Sequence, residues 1–451
     1  MTTWTRRGAL TLLGSAAATP LLAQPMLLEG IRGSLDAATE GVRPDAGDDQ
    51  SRAFRRLLAK ASDANVPIFL PPGTYVFAQI ELPARTRLHG VAGATRIVLG
   101  GEWLFRSAGA ERTELRGLAL DGLARPLGAG QRGLVEIVGG SVAIVECAFT
   151  ESGAYGVVLD GVSGRFADNT VTGAAEAAIY AVQSRGLTIG GNQIADCGNG
   201  GILVHRREAG EDSTIVSGNR VERMRADHGG TGQFGNGINV YRAGNVVISG
   251  NVVTDSAFSA IRSNGGSNVQ ITGNTCLRSG ETAVYSEFMF EGALISSNIV
   301  DGAANGISVV NFNEGGRMGV VSGNIVRNMS TVGPYPADAP GFGVGITVEA
   351  DTAVTGNVVE NAPNYGLHLG WGPFLRNIVA TGNVIRKAGE GIAVSVVEGS
   401  GSVLIADNVI DGAERGAVVG HRWKQAVTGD LASGSDASVF PHLTVGRNKV
   451  S

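Results

Sequence analysis

Cysteine is scarce in this sequence, which has only Cys147, Cys197 and Cys276 among its 451 residues. Three thiols are too few for a disulfide framework that would hold together a chain of this length. We therefore interpret all three as small buried hydrophobic side chains. The fold must then be stabilised by packing and by hydrogen bonds.

Charge is also sparse, because only 17% of the residues are charged and the formal net charge at pH 7 is −5. No basic run is long enough to indicate a nucleic-acid partner. Hydrophobic residues make up 43% of the chain, which excludes the disordered class. Sustained helical periodicity is missing as well, which argues against alternating βα units.

Glycine, by contrast, is abundant, with 69 residues. Short Val- and Ile-rich runs alternate with small polar corners, and many corners end in Asn. Successive corner asparagines are 23 to 33 residues apart, a spacing typical of a solenoid whose repeats each pack on their neighbours. The corner residues are Asn169, Asn192, Asn219, Asn251, Asn274, Asn298, Asn324, Asn357, Asn383 and Asn408.

These asparagines are interpreted as structural. Asn tolerates the left-handed backbone conformation, and its amide can bond the Asn of the coils above and below. Cys147 stands where later repeats place the Asn, which predicts a stacking role for it. The fold class that follows is all-β: a parallel β-helix solenoid with an Asn ladder and about three short strands per coil.

Residues 1–24 are predicted to be a targeting peptide. Thr5-Arg6-Arg7 precedes a mild apolar stretch, Leu12 to Leu22, which is too short to span a membrane. The paired arginines resemble a twin-arginine export signal, which implies the twin-arginine machinery as a partner and a periplasmic or secreted location. Ala9 stands where that signal usually has Phe, so ordinary secretion stays open. No membrane association is expected after cleavage.

Residues 25–100 are predicted to form a linker, an N-terminal cap and the first strands. Apolar residues recur at helical spacing from Gln50 to Ser62, with Asp48 or Asp49 as the N-terminal cap. Such a helix can cover the open end of the first coil. Val66 to Tyr75 follows as a strand with a Pro-Pro-Gly turn. Residues 101–451 are then predicted to form the β-helix, with about twelve coils.

The opening of the chain resembles that of pectate-lyase-like right-handed parallel β-helix proteins. The resemblance lies in Gly47-Asp48-Asp49 with its helix, in Leu70-Pro71-Pro72-Gly73-Thr74-Tyr75, and in the Asn-cornered coils. Together with Arg6-Arg7, the repeat also resembles a bacterial family of twin-arginine-translocated repeat proteins of unassigned activity. The superfamily resemblance implies polysaccharide lyases and epimerases, although one fold hosts many functions.

The third strand of each coil carries the candidate site. Alternation predicts two outward positions on this strand, and stacking turns them into two columns of solvent-facing side chains. The middle four coils concentrate polar and aromatic residues in a patch ~15 Å long, enough for a few sugar units. These residues are His205, Asn239, Tyr241, Arg262, Asn264, Tyr285 and Glu287.

The first hypothesis for this patch is β-elimination or epimerisation of a uronate-containing glycan. Arg262 would neutralise the substrate carboxylate, and His205 and Tyr241 would serve as base and acid. Glu287 would orient Arg262 or Tyr241. As an outward arginine, Arg262 is expected to contribute little to stability, so Arg262→Ala should leave the fold intact.

Substrate binding is assigned to six residues around this centre. Four insertions are expected to surround the patch: Glu222 to Gly237, Arg327 to Gly345, His205 to Ser213, and Asn311 to Arg317. The columns show no calcium-binding aspartate cluster, and no metal or other cofactor is predicted. The predicted substrate-binding residues are Asn239, Asn264, Tyr285, Glu349, His368 and Trp371.

Two other hypotheses remain open. An inverting glycoside hydrolase would use two carboxylates, and Glu287 and Glu349 are predicted to lie two coils apart, roughly 9.6 Å. Asp227-His228 in the long insertion could also contribute. The third hypothesis is a glycan-binding or envelope scaffold without catalysis. Walls over Arg262 would favour an enzyme, whereas a flat face would favour a binder.

Overall fold

Three columns of parallel strands wind into a solenoid of about 14 turns in the computed structural model, which describes residues 33–451. About 54% of the chain is strand and 5% is helix. The predicted all-β solenoid is therefore confirmed. The predicted targeting peptide, residues 1–24, lies outside the described residues.

Each coil contributes one strand to each column, and the corner Asn separates column 1 from column 2. Column 1 contains Leu35–Asp36, Ile68–Phe69, Arg85–His89, Arg112–Arg116, Ser141–Val145, Ser163–Ala167, Leu187–Gly190, Ile215–Ser217, Val247–Ser249, Val269–Thr272, Glu291–Ser296, Arg317–Ser322, Ala350–Thr355, Arg376–Thr381, Val403–Ala406 and Leu443–Gly446. Column 2 contains Gly73–Phe77, Thr95–Leu99, Ala119–Asp121, Ala148–Thr150, Thr170–Thr172, Gln193–Ala195, Arg220–Glu222, Val252–Thr254, Ile325–Met329, Val409–Ala413 and Lys449–Val450.

Column 3 carries the candidate site, and four long strands run through columns 2 and 3 together. Strands of column 3 alone are Ile80–Glu81, Phe105–Ala108, Gly133–Val138, Tyr155–Asp160, Ala177–Val182, Gly200–Glu211, Asn236–Gly244, Ile261–Asn264, Val344–Val348 and Val418–Arg422. The shared strands are Thr275–Glu287, Ile299–Val309, Val358–Leu369 and Val384–Ser395.

The Asn ladder runs through the buried corner between columns 1 and 2. Asn274 shows the repeated pattern: its backbone N–H and its Nδ2 donate to Asn298 Oδ1 at 2.9 and 3.0 Å. Nδ2 also donates to the carbonyl oxygen of Ile248 at 3.1 Å. Cys147, predicted to stack at this corner, donates its backbone N–H to Asn169 Oδ1 at 2.9 Å. Buried side-chain amides whose donors and acceptors have partners thus align one coil with the next.

The left-handed residue at each corner is the one before the Asn, so that part of the prediction was wrong. Asp168, Gly191 and Ser297, for example, have φ of 57°, 66° and 59°. Gly, Asp and Ser tolerate this conformation locally, and the Asn itself stays free to turn its amide into the ladder.

The N-terminal helix, Ser51–Ala64, covers the first coil as predicted. Phe54 on its buried face stacks on Phe77 with ring centroids 4.2 Å apart. Asp49 accepts a hydrogen bond from the backbone N–H of Ser51 at 2.9 Å, which satisfies one free donor of the first turn. The N-cap residue is Gln50, which makes no side-chain capping bond, so the prediction of Asp48 or Asp49 as the cap was wrong by one position.

The other end of column 3 is closed by an antiparallel strand, Gln425–Asp430, which pairs with Val418–Arg422. An added strand of opposite direction interrupts the stack and covers a parallel edge that would otherwise be unpaired. Two short 3-10 turns complete the described elements, Phe312–Glu314 and Ala437–Val439.

We predict that Asn274→Ala lowers the free energy of unfolding by about 2 to 4 kcal/mol, because the donors of Asn251 and the carbonyl of Ile248 lose buried partners. Asn313→Ala is the matched control, since Asn313 is exposed and makes one 3.4 Å hydrogen bond to Glu314. Thermal and denaturant unfolding followed by circular dichroism measure both. Equal stability of the two variants would contradict the role of the ladder.

Candidate functional site

The register of column 3 brings the predicted site residues side by side. His205, Tyr241, Asn264 and Glu287 are successive Cα partners on neighbouring strands. In the adjoining row, Arg262 lies between Asn239 and Tyr285. Residues as far apart in the chain as 205 and 287 therefore form one continuous polar surface, as the repeat pattern predicted.

This surface is the floor of a cavity of about 980 Å³, called here the central cavity. All four predicted catalytic residues line it. One wall is formed by Thr231–Phe234 and by Tyr335, which come from the two long insertions before column 3. Phe288 stands on the opposite wall. The predicted substrate-binding residues in the same cavity are Asn239, Asn264 and Tyr285.

The remaining predicted substrate-binding residues lie in a neighbouring cavity of about 230 Å³, called here the C-terminal cavity. They are Glu349, His368 and Trp371. The two cavities adjoin, because both are lined by Glu281, Tyr285, Tyr335 and Asp338. The candidate site is thus one groove of two compartments along the solenoid axis.

The insertions around the groove agree with the predictions only in part. Residues 223–235 and 330–343 contain no strand and carry the wall residues, as expected. His205 to Ser213 was predicted to be an insertion, but Gly200–Glu211 is one strand with a register irregularity between His205 and Gly210. An extra stretch in a parallel strand can be absorbed as a bulge without leaving the sheet.

Arg262 is buried, so the expectation of a freely exposed arginine was wrong. Its side chain is 11% exposed, and Nε donates to Glu287 Oε1 at 2.6 Å. Nη1 lies 3.5 Å from Glu281 Oε2, and the guanidinium sits over the Tyr285 ring. Burial lowers the pKa of Arg262, but the two carboxylates outweigh it and raise the pKa overall. The alternation of inward and outward side chains correctly places Arg262 on the outer face of column 3, but the insertion that contains Gly232 covers it.

Glu281 and Tyr335 belong to the site but were missed by the sequence analysis. The Tyr335 hydroxyl donates to Glu281 Oε1 at 2.5 Å, and Ser259 Oγ donates to Oε2 at 3.3 Å. Burial is the main reason that the pKa of Glu281 is raised. Glu281 lies at a strand irregularity between Ser279 and Thr282, where period-two alternation fails. The sequence feature that could have revealed Glu281 is its position as a carboxylate immediately before the part of the strand that joins column 3.

His205 is positioned between two tyrosines. Its ring makes edge contacts with Tyr180 and Tyr241 at centroid distances of 5.4 and 5.6 Å. Burial lowers the pKa of His205 to about 4, so the imidazole is neutral at pH 7. Its Nε2 and the Oδ1 of Asn239 are buried without a hydrogen-bond partner among residues 33–451. Two buried polar atoms on residues that line the central cavity therefore lack a hydrogen-bond partner, which a ligand or a water molecule that reaches them would supply.

Besides Glu281, the C-terminal cavity is lined by Glu349 and His368, whose pKa values are also shifted by burial. Burial raises the pKa of Glu349 to about 7, although its Oε2 accepts a hydrogen bond from the backbone N–H of Phe312 at 2.7 Å. Burial, with a smaller effect of His421, lowers the pKa of His368 to about 3. Trp371 packs 6.1 Å from the ring of His368. An uncharged histidine and a half-buried indole give this compartment an apolar wall.

Metal and membrane signals are absent from the part of the chain that the structure describes. Within residues 33–451, no three His, Cys, Asp or Glu side chains are grouped closely enough to hold a metal ion. In the same range, no helix has the length and apolar character needed to cross a membrane.

A known protein family with the same fold matches this sequence. The family described as right handed beta helix region matches residues 129–232 and 209–374, which together span more than half of the 451 residues. The chain belongs to this family. The predicted resemblance to right-handed parallel β-helix proteins is thereby confirmed. Among curated proteins, no sequence matches this β-helix protein.

Solved structures similar to this β-helix protein differ widely in function. The pre-mature gene product 12 of bacteriophage phi29 has a TM-score of 0.59 and 16% identity, over 88% of this chain and 58% of that chain. A mannuronic acid specific family 6 lyase from human gut microbiota has a TM-score of 0.51 and 13% identity, over 92% and 90%. The A-module of a mannuronan C-5 epimerase from Azotobacter vinelandii has a TM-score of 0.47 and 16% identity, over 93% and 99%. At these identities the likeness shows the fold alone.

We predict that Arg262→Ala lowers the free energy of unfolding by about 3 to 5 kcal/mol, because it leaves Glu281 and Glu287 buried without their shared cation. Arg327→Ala is the matched control, since that arginine is half-exposed and pairs with Asp301 on column 2. Its removal should cost less than about 1 kcal/mol. Denaturant unfolding compares the two variants, and equal losses would show that the Arg262 cluster stabilises the fold no more than an exposed ion pair does.

A second prediction concerns pH. The pKa of His368 is about 3 in the folded protein, against about 6.5 when unfolded, so the unfolded state takes up the proton first. The stability contribution is complete above pH 6.5 and declines as the pH falls toward 3. His368→Phe should therefore lose roughly 2 kcal/mol less stability than the wild type between about pH 7.5 and 4.5. His228→Phe, at a half-exposed ring, is the control, and parallel pH profiles of wild type and His368→Phe would contradict the assignment.

Proposed function

We propose that this β-helix protein is a polysaccharide-processing enzyme that hydrolyses glycosidic bonds, with Glu281 and Glu287 as its carboxylate pair. The observation that carries the proposal is that two buried carboxylates in one cavity contact the same guanidinium, that of Arg262. Glycoside hydrolysis uses such a pair on either side of the scissile bond. A cavity with walls built by the insertions, rather than a flat outer face, supports catalysis over simple binding.

The environments of the two carboxylates suit different roles. Burial favours the protonated form of Glu281, which fits a general acid that protonates the leaving oxygen. Glu287 accepts hydrogen bonds from Arg262 and Asn264 through Oε1 alone, which leaves Oε2 available to a water molecule or the sugar. Both carboxylates contact one planar guanidinium and so lie within roughly 9 Å of each other, a separation found in glycoside hydrolases.

The carboxylate pair proposed from the sequence, Glu287 and Glu349, is set aside here. Two coils separate them in the same column, roughly 9.6 Å, at the upper limit for an inverting enzyme. They also line different compartments, whereas Glu281 and Glu287 share the central cavity. Glu349, His368 and Trp371 are better placed to bind sugar units beyond the cleaved bond.

A polymeric substrate is supported by the length of the groove. From the coil of His205 to the coil of Trp371 there are six strand steps, about 29 Å. That length accommodates several sugar units in a row, and Trp371 offers an aromatic face at one end. Neighbours of the same fold that act on polysaccharides, such as the mannuronic acid specific lyase, add support for this substrate class.

The second candidate function is elimination or epimerisation at a uronate, with His205 as base and Tyr241 as acid. The neutral imidazole of His205, whose Nε2 has no hydrogen-bond partner among the described residues and whose ring contacts Tyr241, favours it. The occupied state of Arg262 weighs against it, because this chemistry needs a free positive group on the substrate carboxylate. Hydrolysis is therefore the better-supported reaction.

Export is part of the proposal. Thr5-Arg6-Arg7 and the apolar stretch after it support secretion through the twin-arginine route, which places the enzyme in the periplasm or outside the cell. A glycan-processing enzyme would meet its polymer there.

We predict that Glu287→Gln and Glu281→Gln each lower kcat by at least about 100-fold on a cleaved polysaccharide, because each removes a proton-transferring carboxyl group while keeping its shape. New reducing ends measure turnover, and Glu291→Gln on the exposed face of column 1 is the control.

Three outcomes separate the candidates. Reducing ends without an ultraviolet-absorbing unsaturated product support hydrolysis. An absorbing product lost in His205→Ala would replace hydrolysis by elimination. Absence of turnover on every polysaccharide, or full activity of both glutamine variants, would contradict the proposed carboxylate pair.

A further inference from the structure

The charge of the central cavity is unusual for a groove that would bind an acidic polymer. Among the described residues that line it, Arg262 is the only arginine or lysine, while Glu281, Glu287 and Asp338 are carboxylic acids. His205 does not add a positive charge, because burial keeps its imidazole neutral at pH 7. Even with Glu281 protonated, the lining carries more negative than positive charge.

Arg262 already uses two of its three nitrogens on carboxylates of the protein itself. Nε contacts Glu287 and Nη1 contacts Glu281, which neutralise the guanidinium from two sides. The backbone of Gly232 lies directly over it, because a Cβ placed there would be 1.6 Å from Nη1. Tyr285 covers the guanidinium through a cation–π contact, with its ring centroid 5.0 Å away. A bidentate contact with a uronate would require this packing to open.

Two acceptor oxygens of the floor receive no hydrogen bond from the described residues. Asn239 is 6% exposed, and its Oδ1 is buried without a partner among the described residues. Glu287 lies two strands further along the solenoid, in the adjoining row, and its Oε2 is without a hydrogen bond because both of its hydrogen bonds use Oε1. Asp338 adds a carboxylate at the rim of the cavity. Such a floor satisfies a ligand that brings O–H or N–H donors, and it repels one that brings carboxylates.

We propose that the central cavity selects a non-acidic glycan, one whose sugars present hydroxyl or amino groups and no carboxylate to the floor between Asn239 and Glu287. This inference rests on the proposed polysaccharide-processing function and names its substrate class. The acceptors on the floor bind the sugar donors, and the surplus carboxylates exclude uronate and sulfate groups. Arg262 holds the two glutamates in place and does not itself bind the glycan.

Binding, measured apart from turnover, tests this proposal. The wild-type protein is compared on a panel of neutral α- and β-glucans, chitosan, alginate and polygalacturonate by affinity electrophoresis, followed by calorimetry with matched hexasaccharides. We expect at least one neutral or amine-bearing polymer to bind at least about tenfold more tightly than either polyuronate at physiological salt.

Charge variants identify the cause of the selectivity. Asp338→Asn and Glu287→Gln each remove one negative charge from the cavity and should strengthen polyuronate binding several-fold, with a smaller change for the neutral ligand. Asp301→Asn, on column 2, changes the net charge equally outside the cavity and should change neither. Equal responses of all three variants would show a nonspecific charge effect and overturn the proposal.

Tighter binding of a polyuronate by the wild type, or binding of no polymer in the panel, also overturns it. The outcome is separate from that of the hydrolysis assay. A neutral glycan that binds in the groove and is not cleaved would refute the carboxylate pair and leave the selectivity standing. Cleavage of a polyuronate without an unsaturated product would refute the selectivity and leave the hydrolytic function standing.

Discussion

The amide ladder at the corner between columns 1 and 2 is the interaction on which the rest of the structure depends. Each Asn binds the next coil through two donors and the preceding coil through a backbone carbonyl, so neighbouring coils cannot slip by a residue without breaking buried hydrogen bonds. Register then determines which side chains become neighbours in column 3. The groove is a consequence of that alignment, because its residues are separated by a coil or more in the chain.

The ladder also explains how much of the site could be inferred from the sequence. Aligning the strands that follow each small loop placed Tyr241, Asn264 and Glu287 in one row, because a period-two strand translates position into direction. The alignment could not predict which residues of the insertions lie over the strands. The insertion that lays Gly232 over Arg262, and the one that brings Tyr335 to Glu281, have no repeat to follow.

Covering the column changes its chemistry. Under the insertions, Arg262 becomes the shared partner of two buried carboxylates instead of a solvent-facing cation. A buried charge must be paired, and the pairing fixes the geometry of both glutamates while it removes the positive field that a uronate would need. This packing prevents Arg262 from binding an acidic substrate group. It allows Arg262 to hold Glu281 and Glu287 in position for catalysis.

The most direct test of this account is a crystal structure of Glu287→Gln with a non-acidic oligosaccharide bound. The account predicts a sugar chain along column 3, with a glycosidic oxygen within hydrogen-bond distance of Glu281, and Arg262 still in contact with Glu281 beneath it. A chain bound outside the two cavities, or an Arg262 released to contact the sugar, would contradict it.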